Sequence, residues 1–260
     1  MAQRIKDPNP SSWQQKIKPA NSNTRISWAG QTEPQRPTQV QAGAPDNLGL
    51  NSERLRLRMV ERVRQQGVHH ESVLEALAKV PRHQFVDQAL ASRAYEDGAL
   101  PIGHGQTISQ PWVVARMLAA ISEPAVPTKV LEIGTGCGYQ AAVMSKIFSS
   151  VFTIERVRPL YDMAKSRLQS MGFRNVFCQF GDGMQGWASK APFDAIVVAA
   201  AGVSVPQALL DQLCIGGRLI APEGDREQHL IMVTRESANR WARVQLEAVR
   251  FVPLKPGTQP

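Results

Sequence analysis

Cysteine is scarce in this chain of 260 residues. Its three cysteines, Cys137, Cys178 and Cys214, are widely spaced and include no Cys-x-x-Cys pair. An odd number at such spacing argues against a disulfide framework, and the five histidines add no ligand-spaced cluster that would complete a zinc site. The sequence therefore predicts no bound metal and a reducing compartment.

Long apolar segments are also missing. The longest apolar run covers residues 195–203, far short of the roughly 18 residues that a membrane-spanning helix needs. The N-terminal stretch, which begins Met-Ala-Gln-Arg-Ile-Lys, contains no apolar segment of the kind found in secretory signals. We therefore expect a cytoplasmic protein with no membrane partner.

Negative charge is in the minority, with 22 Asp and Glu against 30 Lys and Arg and a formal net charge of +8. Such an excess is typical of proteins that bind nucleic acids. Here the first 50 residues carry six positive and three negative side chains, a net +3, which leaves +5 for the other 210. Neither part contains a dense basic stripe. We therefore expect no specific nucleic-acid partner and, at most, a preference for acidic substrate segments.

The first 50 residues have few apolar side chains. They hold 14 hydrophobic residues of 50, or 28%, against 43% for the whole chain, and six of the 18 prolines. A segment of this composition cannot bury enough apolar surface to offset its ordering entropy. The sequence predicts a disordered basic extension over residues 1–50 and one folded domain over residues 51–260.

Strands and helices alternate after residue 128. Ahead of this point, apolar spacing predicts helices beginning near residues 52, 71 and 111, and the Gly- and Pro-rich residues 99–107 predict a loop. Strands are predicted over residues 129–133, 151–155, 175–180, 194–199, 218–221, 228–235 and 243–252, and helices from the glycine-rich turn to residue 148, over 158–171 and over 205–213. This order predicts an α/β fold with a doubly wound, mainly parallel sheet over residues 129–256 and an antiparallel edge, preceded by helices over residues 51–128.

A glycine-rich turn follows the first predicted strand. The spacing is Glu132-x-Gly134-x-Gly136-x-Gly138, which does not fit the G-x-G-x-x-G pattern of dinucleotide sites. Closely spaced glycines let the backbone turn sharply and approach a ligand at the end of the strand. The turn alone is also compatible with an ordinary strand-to-helix connection.

Two further acids stand at strand ends. Glu155 ends the second predicted strand, where an acid hydrogen-bonds the ribose hydroxyls of a bound nucleoside. Gly181-Asp182-Gly183 follows the third, where an aspartate can accept a hydrogen bond from an adenine amino group. The carboxyl ends of parallel strands meet at one edge of a sheet, so the three acids together predict a nucleoside-type cofactor there.

The segment over residues 132–138 resembles the first motif of Rossmann-like, class I S-adenosylmethionine-dependent methyltransferases. Residues 80–86 (Val-Pro-Arg-His-Gln-Phe-Val) and 95–111 more closely resemble the protein-L-isoaspartate (D-aspartate) O-methyltransferase family. The likeness continues to residues 251–254 (Phe-Val-Pro-Leu) and covers residues 52–254. Its most diagnostic piece is the loop over residues 107–111 (Thr-Ile-Ser-Gln-Pro).

The resemblance implies a catalytic domain that moves a methyl group from S-adenosylmethionine to the free α-carboxylate of L-isoaspartyl residues in damaged proteins, leaving S-adenosylhomocysteine. The methyl ester then closes to a succinimide, and hydrolysis of the succinimide returns some normal aspartyl. A carboxyl group with a pKa near 4 is already ionised at pH 7, so the reaction needs alignment rather than a general base.

The resemblance also assigns the site. Ser109 takes the catalytic role, orienting the substrate carboxylate, although a helix cap ahead of Pro111 is an alternative use of its hydroxyl. His104 could contact the substrate or simply order the loop. The cofactor-binding residues that follow from the motifs and the resemblance are Thr107, Ile108, Ser109, Glu132, Gly134, Thr135, Gly136, Gly138, Glu155, Arg156, Gly181, Asp182 and Gly183.

Three positions depart from the family pattern. Cys137 stands where a serine is usual, and either small side chain fits. Residues 199–203 (Ala-Ala-Ala-Gly-Val) replace a more usual Thr-Ala-Ala-Ala-Pro, and Glu223 stands where valine is common. The last two could alter peptide preference.

The alternative to a repair enzyme is a class I methyltransferase acting on RNA or a small molecule. It would need stacking aromatics or an amine-binding pocket after the fourth strand, where residues 199–203 are apolar. A non-enzymatic RNA-binding relic is disfavoured by the intact acids. No apolar helix face is left over to require a dimer, so we expect a monomer.

Overall fold

A computed structural model of the chain describes the backbone of residues 48–260 and the side chains from residue 52 onward. The predicted disordered extension lies outside the described residues except for its last three positions, which begin the first helix. This helix, α1, spans Leu48–Gln65 and ends ahead of Gly67, where a positive φ of 98° suits glycine.

The N-terminal helices pack their apolar sides into the core. Helix α2 (Glu71–Lys79) buries Val73, Leu74 and Leu77, as its apolar spacing predicts. Two short 3-10 turns follow at Arg82–Phe85 and Gln88–Arg93. Helix α3 (Pro111–Ser122) begins with proline at its first turn, where the missing N–H leaves no intrahelical hydrogen bond unmade.

The segment predicted as a loop between these helices is a hairpin instead. Strand β1 (Leu100–Gly103) pairs antiparallel with β2 (Gln106–Ile108). His104 and Gly105 form the turn, with φ values of 53° and 68°. Two-residue hairpin turns of this kind require positive φ at both central positions. The loop prediction was wrong because the turn formers that suggested it also build a tight hairpin.

Seven strands form the main sheet. They are β3 (Lys129–Ile133), β4 (Ser150–Glu155), β5 (Val176–Phe180), β6 (Phe193–Val198), β7 (Leu213–Glu223), β8 (Gln228–Ser237) and β9 (Arg240–Val249). Their spatial order is β5-β4-β3-β6-β7-β8-β9, with parallel pairing from β5 to β7 and antiparallel pairing from β7 to β9. The predicted α/β fold with a doubly wound, mainly parallel sheet and an antiparallel edge is confirmed.

Helices make three of the connections between the parallel strands: α4 (Tyr139–Met144) joins β3 to β4, α5 (Arg158–Ser170) joins β4 to β5, and the short α6 (Gln207–Asp211) joins β6 to β7. Two 3-10 turns, Gly183–Gln185 and Ala188–Lys190, lie between β5 and β6. Side chains of β3 alternate between two buried clusters, with Val130 in one and Leu131 and Ile133 in the other. Burial on both faces explains why these strands read as continuous apolar runs.

The order of the sheet places a crevice at β3. The chain leaves β3 toward β4 on one side and reaches β6 on the other, so the connections diverge at the carboxyl end of β3. In open α/β sheets, ligands bind at such a switch point. The glycine-rich turn after β3 therefore lies where the topology alone would place a ligand.

Strand β7 differs most from its prediction. It runs from Leu213 to Glu223, although only residues 218–221 were expected, and α6 is correspondingly shorter than the predicted 205–213 helix. The first half of β7 contains Gly216 and Gly217, which interrupt the alternation of side chains typical of a strand.

Within residues 48–260, no helix combines the length and apolar character needed to span a membrane.

Candidate cofactor and substrate site

A cavity opens at the carboxyl ends of β3, β4 and β6. The β2–α3 connection borders it on one side and the C-terminal residues on the other. Nine of the predicted site residues line this cavity: Thr107, Ile108, Ser109, Gly134, Thr135, Gly136, Glu155, Arg156 and Gly183. The fold thus brings together residues from position 107 to position 183.

The glycine-rich turn wraps the end of β3. Gly134, Gly136 and Gly138 all have positive φ, at 95°, 55° and 89°. A Cβ added at Gly136 would lie 3.2 Å from the Ile102 side chain of the hairpin. Glycine is therefore needed both for the turn and for the close approach of hairpin and turn.

Glu155, at the end of β4, is 5% exposed, and backbone donors fix its carboxylate. The Gly136 N–H donates to Oε2 at 2.8 Å and the Val157 N–H donates to Oε1 at 2.9 Å. Each carboxylate oxygen can accept a second hydrogen bond. The group is thus oriented by the chain and keeps acceptor capacity toward the cavity.

Glu132 is fully buried and does not line the cavity. Its Oε2 accepts a hydrogen bond from the Thr153 hydroxyl at 2.5 Å, and Thr153 is 2.6 Å from the Thr135 hydroxyl. Its Oε1 has no partner among the described residues. Burial, with a smaller contribution from the nearby Glu155 charge, raises the pKa of Glu132 to about 8.

Asp182 is also held by backbone donors. The Met184 N–H donates to Oδ1 at 2.9 Å, and the Gly257 N–H donates to Oδ2 at 2.8 Å. Of the surrounding glycines, Gly183 lines the cavity, and a Cβ there would lie 2.5 Å from Ile133 Cγ2. The structure does not place Gly138, Gly181, Glu132 or Asp182 on the cavity wall.

Ser109 lies between the hairpin and α3, with its side chain half-buried at the cavity. The cap residue of α3 is Gln110, and no side chain caps this helix end. The Ser109 hydroxyl makes no hydrogen bond to any residue that the structure describes. The capping alternative is therefore wrong, and the hydroxyl remains available to a ligand.

The three departures from the family pattern lie in different surroundings. Ala199 and Ala200 line the cavity after β6. Glu223 does not line it; its Oε2 instead accepts from the Val205 N–H at 3.1 Å and pairs with Arg243 at 2.6 Å. Glu223 thus anchors the loop after β6. Cys137, the third departure, is buried at the cavity, and burial raises the pKa of its thiol.

Sequence reasoning pointed to residues 251–254 as a possible contact with the substrate peptide, but it missed the cavity residues beyond them. Lys255 and Gln259 line the cavity together with Pro253 and Leu254, more than 95 residues beyond Glu155. Only the short Phe-Val-Pro-Leu motif hinted that this region matters. Nothing in the local pattern shows that it folds back onto the ends of β4 and β5.

The residues present fit a nucleoside-bearing cofactor. Oriented carboxylates and a close glycine turn suit hydroxyl, amino and ammonium groups. The glycine-rich turn lacks the dinucleotide spacing, which argues against binding of a pyrophosphate at this turn.

Among residues 48–260, no group of three or more His, Cys, Asp and Glu side chains is arranged to hold a metal ion.

Comparison with known proteins agrees with this geometry. The sequence model of one family, described as protein-L-isoaspartate(D-aspartate) O-methyltransferase (PCMT), matches residues 54–259. The chain belongs to the protein-L-isoaspartate O-methyltransferase family. The resemblance seen in the sequence is confirmed, and the match continues five residues beyond the predicted end at 254.

Members of this family in Bordetella are close relatives. The chain is 59% identical over 244 residues to a protein-L-isoaspartate O-methyltransferase of Bordetella avium, covering 93% of this chain and 91% of the relative. It is 61% identical over 244 residues to that of Bordetella parapertussis, covering 94% and 93%.

Two solved isoaspartate methyltransferase structures share the fold. One, with a TM-score of 0.70 and 27% identity, covers 78% of this chain and 67% of its own. The other, a Plasmodium falciparum beta-aspartate methyltransferase (PCMT) in complex with S-adenosyl-L-homocysteine, has a TM-score of 0.65 and 25% identity, and covers 77% of this chain and 98% of its own.

Proposed function

We propose that this protein transfers a methyl group from S-adenosylmethionine to the α-carboxylate of L-isoaspartyl residues in damaged proteins. The observation that carries the proposal is that one cavity is lined by residues 107–109 (the Ser109 loop), by Glu155 and by the glycine-rich turn. The family match over residues 54–259 supports this substrate class over the alternative of RNA or a small molecule.

The cofactor would be held by the glycine-rich turn and the strand ends. When bound, S-adenosylmethionine supplies an electrophilic methyl group on a sulfonium. Glu155 would accept hydrogen bonds from the ribose hydroxyls through the lone pairs that the Gly136 and Val157 N–H groups leave free. Thr107, Ile108 and Ser109 close one side of the cavity. Asp182 lies behind the wall, directly before the cavity-lining Gly183, and would accept a hydrogen bond from the adenine amino group there.

The acceptor carboxylate needs orientation and partial removal of its water. It is ionised at pH 7 and is nucleophilic without a base. The Ser109 hydroxyl, free of hydrogen bonds to the described residues, donates to one carboxylate oxygen and leaves the other to attack. The hairpin and the apolar Ala199 and Ala200 limit solvent around it.

An isoaspartyl peptide and labelled S-adenosylmethionine test the reaction. Carboxyl methylation gives a base-labile ester, so alkali should release volatile labelled methanol. The matched peptide with normal aspartyl is the control and should release none. Stable label on RNA or on a small acceptor, with no methanol from the peptide, would show that the substrate class is wrong.

Ser109→Ala tests the catalytic assignment. We expect turnover to fall about a hundredfold, within the range for loss of an oriented hydrogen-bond donor, while binding of S-adenosylhomocysteine changes little. Ser109→Thr keeps the hydroxyl and should retain more activity. Wild-type turnover in a folded Ser109→Ala protein would refute the role.

We further propose that the enzyme works as a cytoplasmic monomer without specific nucleic-acid or membrane partners. The three cysteines are free thiols, which suits a reducing compartment. Light scattering at micromolar concentration should give the mass of one chain, about 28.6 kDa. A mass of two chains would contradict the monomer.

A further inference from the structure

The last six residues cross the ends of β4 and β5. The Gln259 N–H donates to the Arg156 carbonyl at 2.7 Å, and the Gln259 carbonyl accepts from the Arg158 N–H at 2.8 Å. Val157 and Gln259 thereby form an isolated parallel bridge. The C-terminal segment, defined here as residues 255–260, is thus fastened beside the strand that ends in Glu155.

Arg156 provides a second fastening. Its Nε donates to the Gly257 carbonyl at 2.9 Å, and a terminal nitrogen lies 3.4 Å from the Gln259 side-chain oxygen. Arg156 follows Glu155 directly, so the residue next to the predicted ribose acid holds the C-terminal segment in place.

The segment also fixes Asp182. One carboxylate oxygen is oriented locally, by the Met184 N–H two residues away. The other is oriented by the Gly257 N–H, 75 residues away in the chain. Glu155 is oriented in the same manner by two backbone donors, but both lie in the segments next to β3 and β4. Of these two acids, Asp182 is therefore the one whose orientation depends on a donor from the C-terminal segment.

We propose that the C-terminal segment is a positioning element of the cofactor site: it forms the nucleoside-side wall and orients Asp182 toward the adenine amino group. This inference rests on the proposed function. Lys255 and Gln259 line the cavity, so the segment borders the ligand space and does not merely pack nearby. The Met184 N–H occupies one lone pair of Oδ1 and the Gly257 N–H one lone pair of Oδ2, so each Asp182 oxygen keeps a further lone pair for the ligand.

Binding of S-adenosylhomocysteine by isothermal calorimetry tests the proposal without turnover. Removing residues 257–260 should weaken binding about tenfold, because an unoriented carboxylate loses the value of one charge-assisted hydrogen bond. The ligand should also dissociate faster, since one wall of the cavity is gone.

The truncation can be replaced by a single substitution, Gly257→Ala, which keeps the full chain and so avoids any effect of truncation on folding. Gly257 has φ of 69° with open space around it, so Gly257→Ala strains only the turn that presents the N–H. We expect roughly fivefold weaker binding, from the cost of a left-handed conformation in alanine. Gly172→Ala is the matched control: φ is 77°, the space is open, and the residue follows the far end of α5.

The outcomes separate this inference from the function it rests on. Weaker binding in both C-terminal variants, with Gly172→Ala unchanged within twofold, supports it. Wild-type or tighter affinity in the folded C-terminal variants overturns it, and tighter affinity would mean that the segment competes for Asp182. Absence of binding to the intact chain would overturn the proposed function itself, and this inference with it.

Discussion

Two neighbouring acids, Glu132 and Glu155, lie in opposite environments. Glu155 has a backbone N–H on each oxygen, whereas Glu132 is fully buried with one oxygen unpartnered among the described residues. The Thr153 hydroxyl donates a hydrogen bond to Glu132, but the cost of burying the charge outweighs this hydrogen bond, which favours the neutral form. At neutral pH, Glu132 therefore carries a proton while Glu155 supplies acceptors to the cavity.

The raised pKa of Glu132 makes stability depend on pH. Its folded-state pKa, about 8, lies above the ordinary value of 4.5, so the folded protein binds the proton more tightly than the unfolded chain. Its contribution is complete below pH 4.5 and is lost as pH rises through 8. Glu132→Gln should remove this loss, giving a flatter free energy of unfolding between pH 5 and pH 8.

Urea denaturation of the ligand-free protein at several pH values measures this slope. Glu75→Gln, at an exposed position of α2, is the control and should keep the wild-type slope. Equal slopes for wild type and Glu132→Gln would show that Glu132 does not retain its proton on folding.

At the scale of elements, the β1–β2 hairpin is the least expected part of the site. Its turn places His104, a residue with a β-carbon, at φ of 53°. Asn tolerates this conformation well, whereas a β-branched residue does not. The hairpin thus offers a way to separate the shape of the turn from the chemistry of the imidazole.

His104→Val should loosen the hairpin, and His104→Asn should preserve it. We expect the valine variant to lose about tenfold in kcat/KM on an isoaspartyl peptide, because the strain of roughly 1–2 kcal/mol displaces the Ser109 loop. The asparagine variant should stay within twofold of wild type. An equal loss in both variants would mean that the imidazole itself contacts the substrate.

The elements of the sheet were predictable because burial on both faces leaves a strong apolar signal, as in β3 and β6. The hairpin and the first half of β7 were not, because glycines needed for positive φ or close approach break the period of the strand. The contact of Gly257 with Asp182 leaves no local signal at all. This contact depends on the path that the chain takes after β9, which brings the C-terminal segment back to the end of β5.

At the scale of the molecule, the cavity walls that the structure describes come from residues between His104 and Gln259. The N-terminal helices contribute to the core instead: α1 buries Met59 and Val63, at 0% and 1% exposure.

Deleting residues 1–47 should leave methyl transfer within twofold of the intact chain, because residues 104–259 supply the described walls of the cavity. The melting temperature should shift little, because α1 and its buried side chains remain. Deleting residues 1–65 is the contrasting variant and should prevent folding, since it opens the core at Met59 and Val63. A large loss of turnover in the shorter deletion would show that the extension belongs to the site.

The fastening of Gln259 to Arg156 and Arg158 has a practical consequence for purification. An affinity tag fused after Pro260 would begin next to Gln259, which lines the candidate cofactor cavity, and would disturb the C-terminal segment. A tag placed ahead of Met1 is separated from α1 by 47 residues. Cofactor affinities measured on the two tagged forms should differ, and the N-terminally tagged form should match the untagged protein.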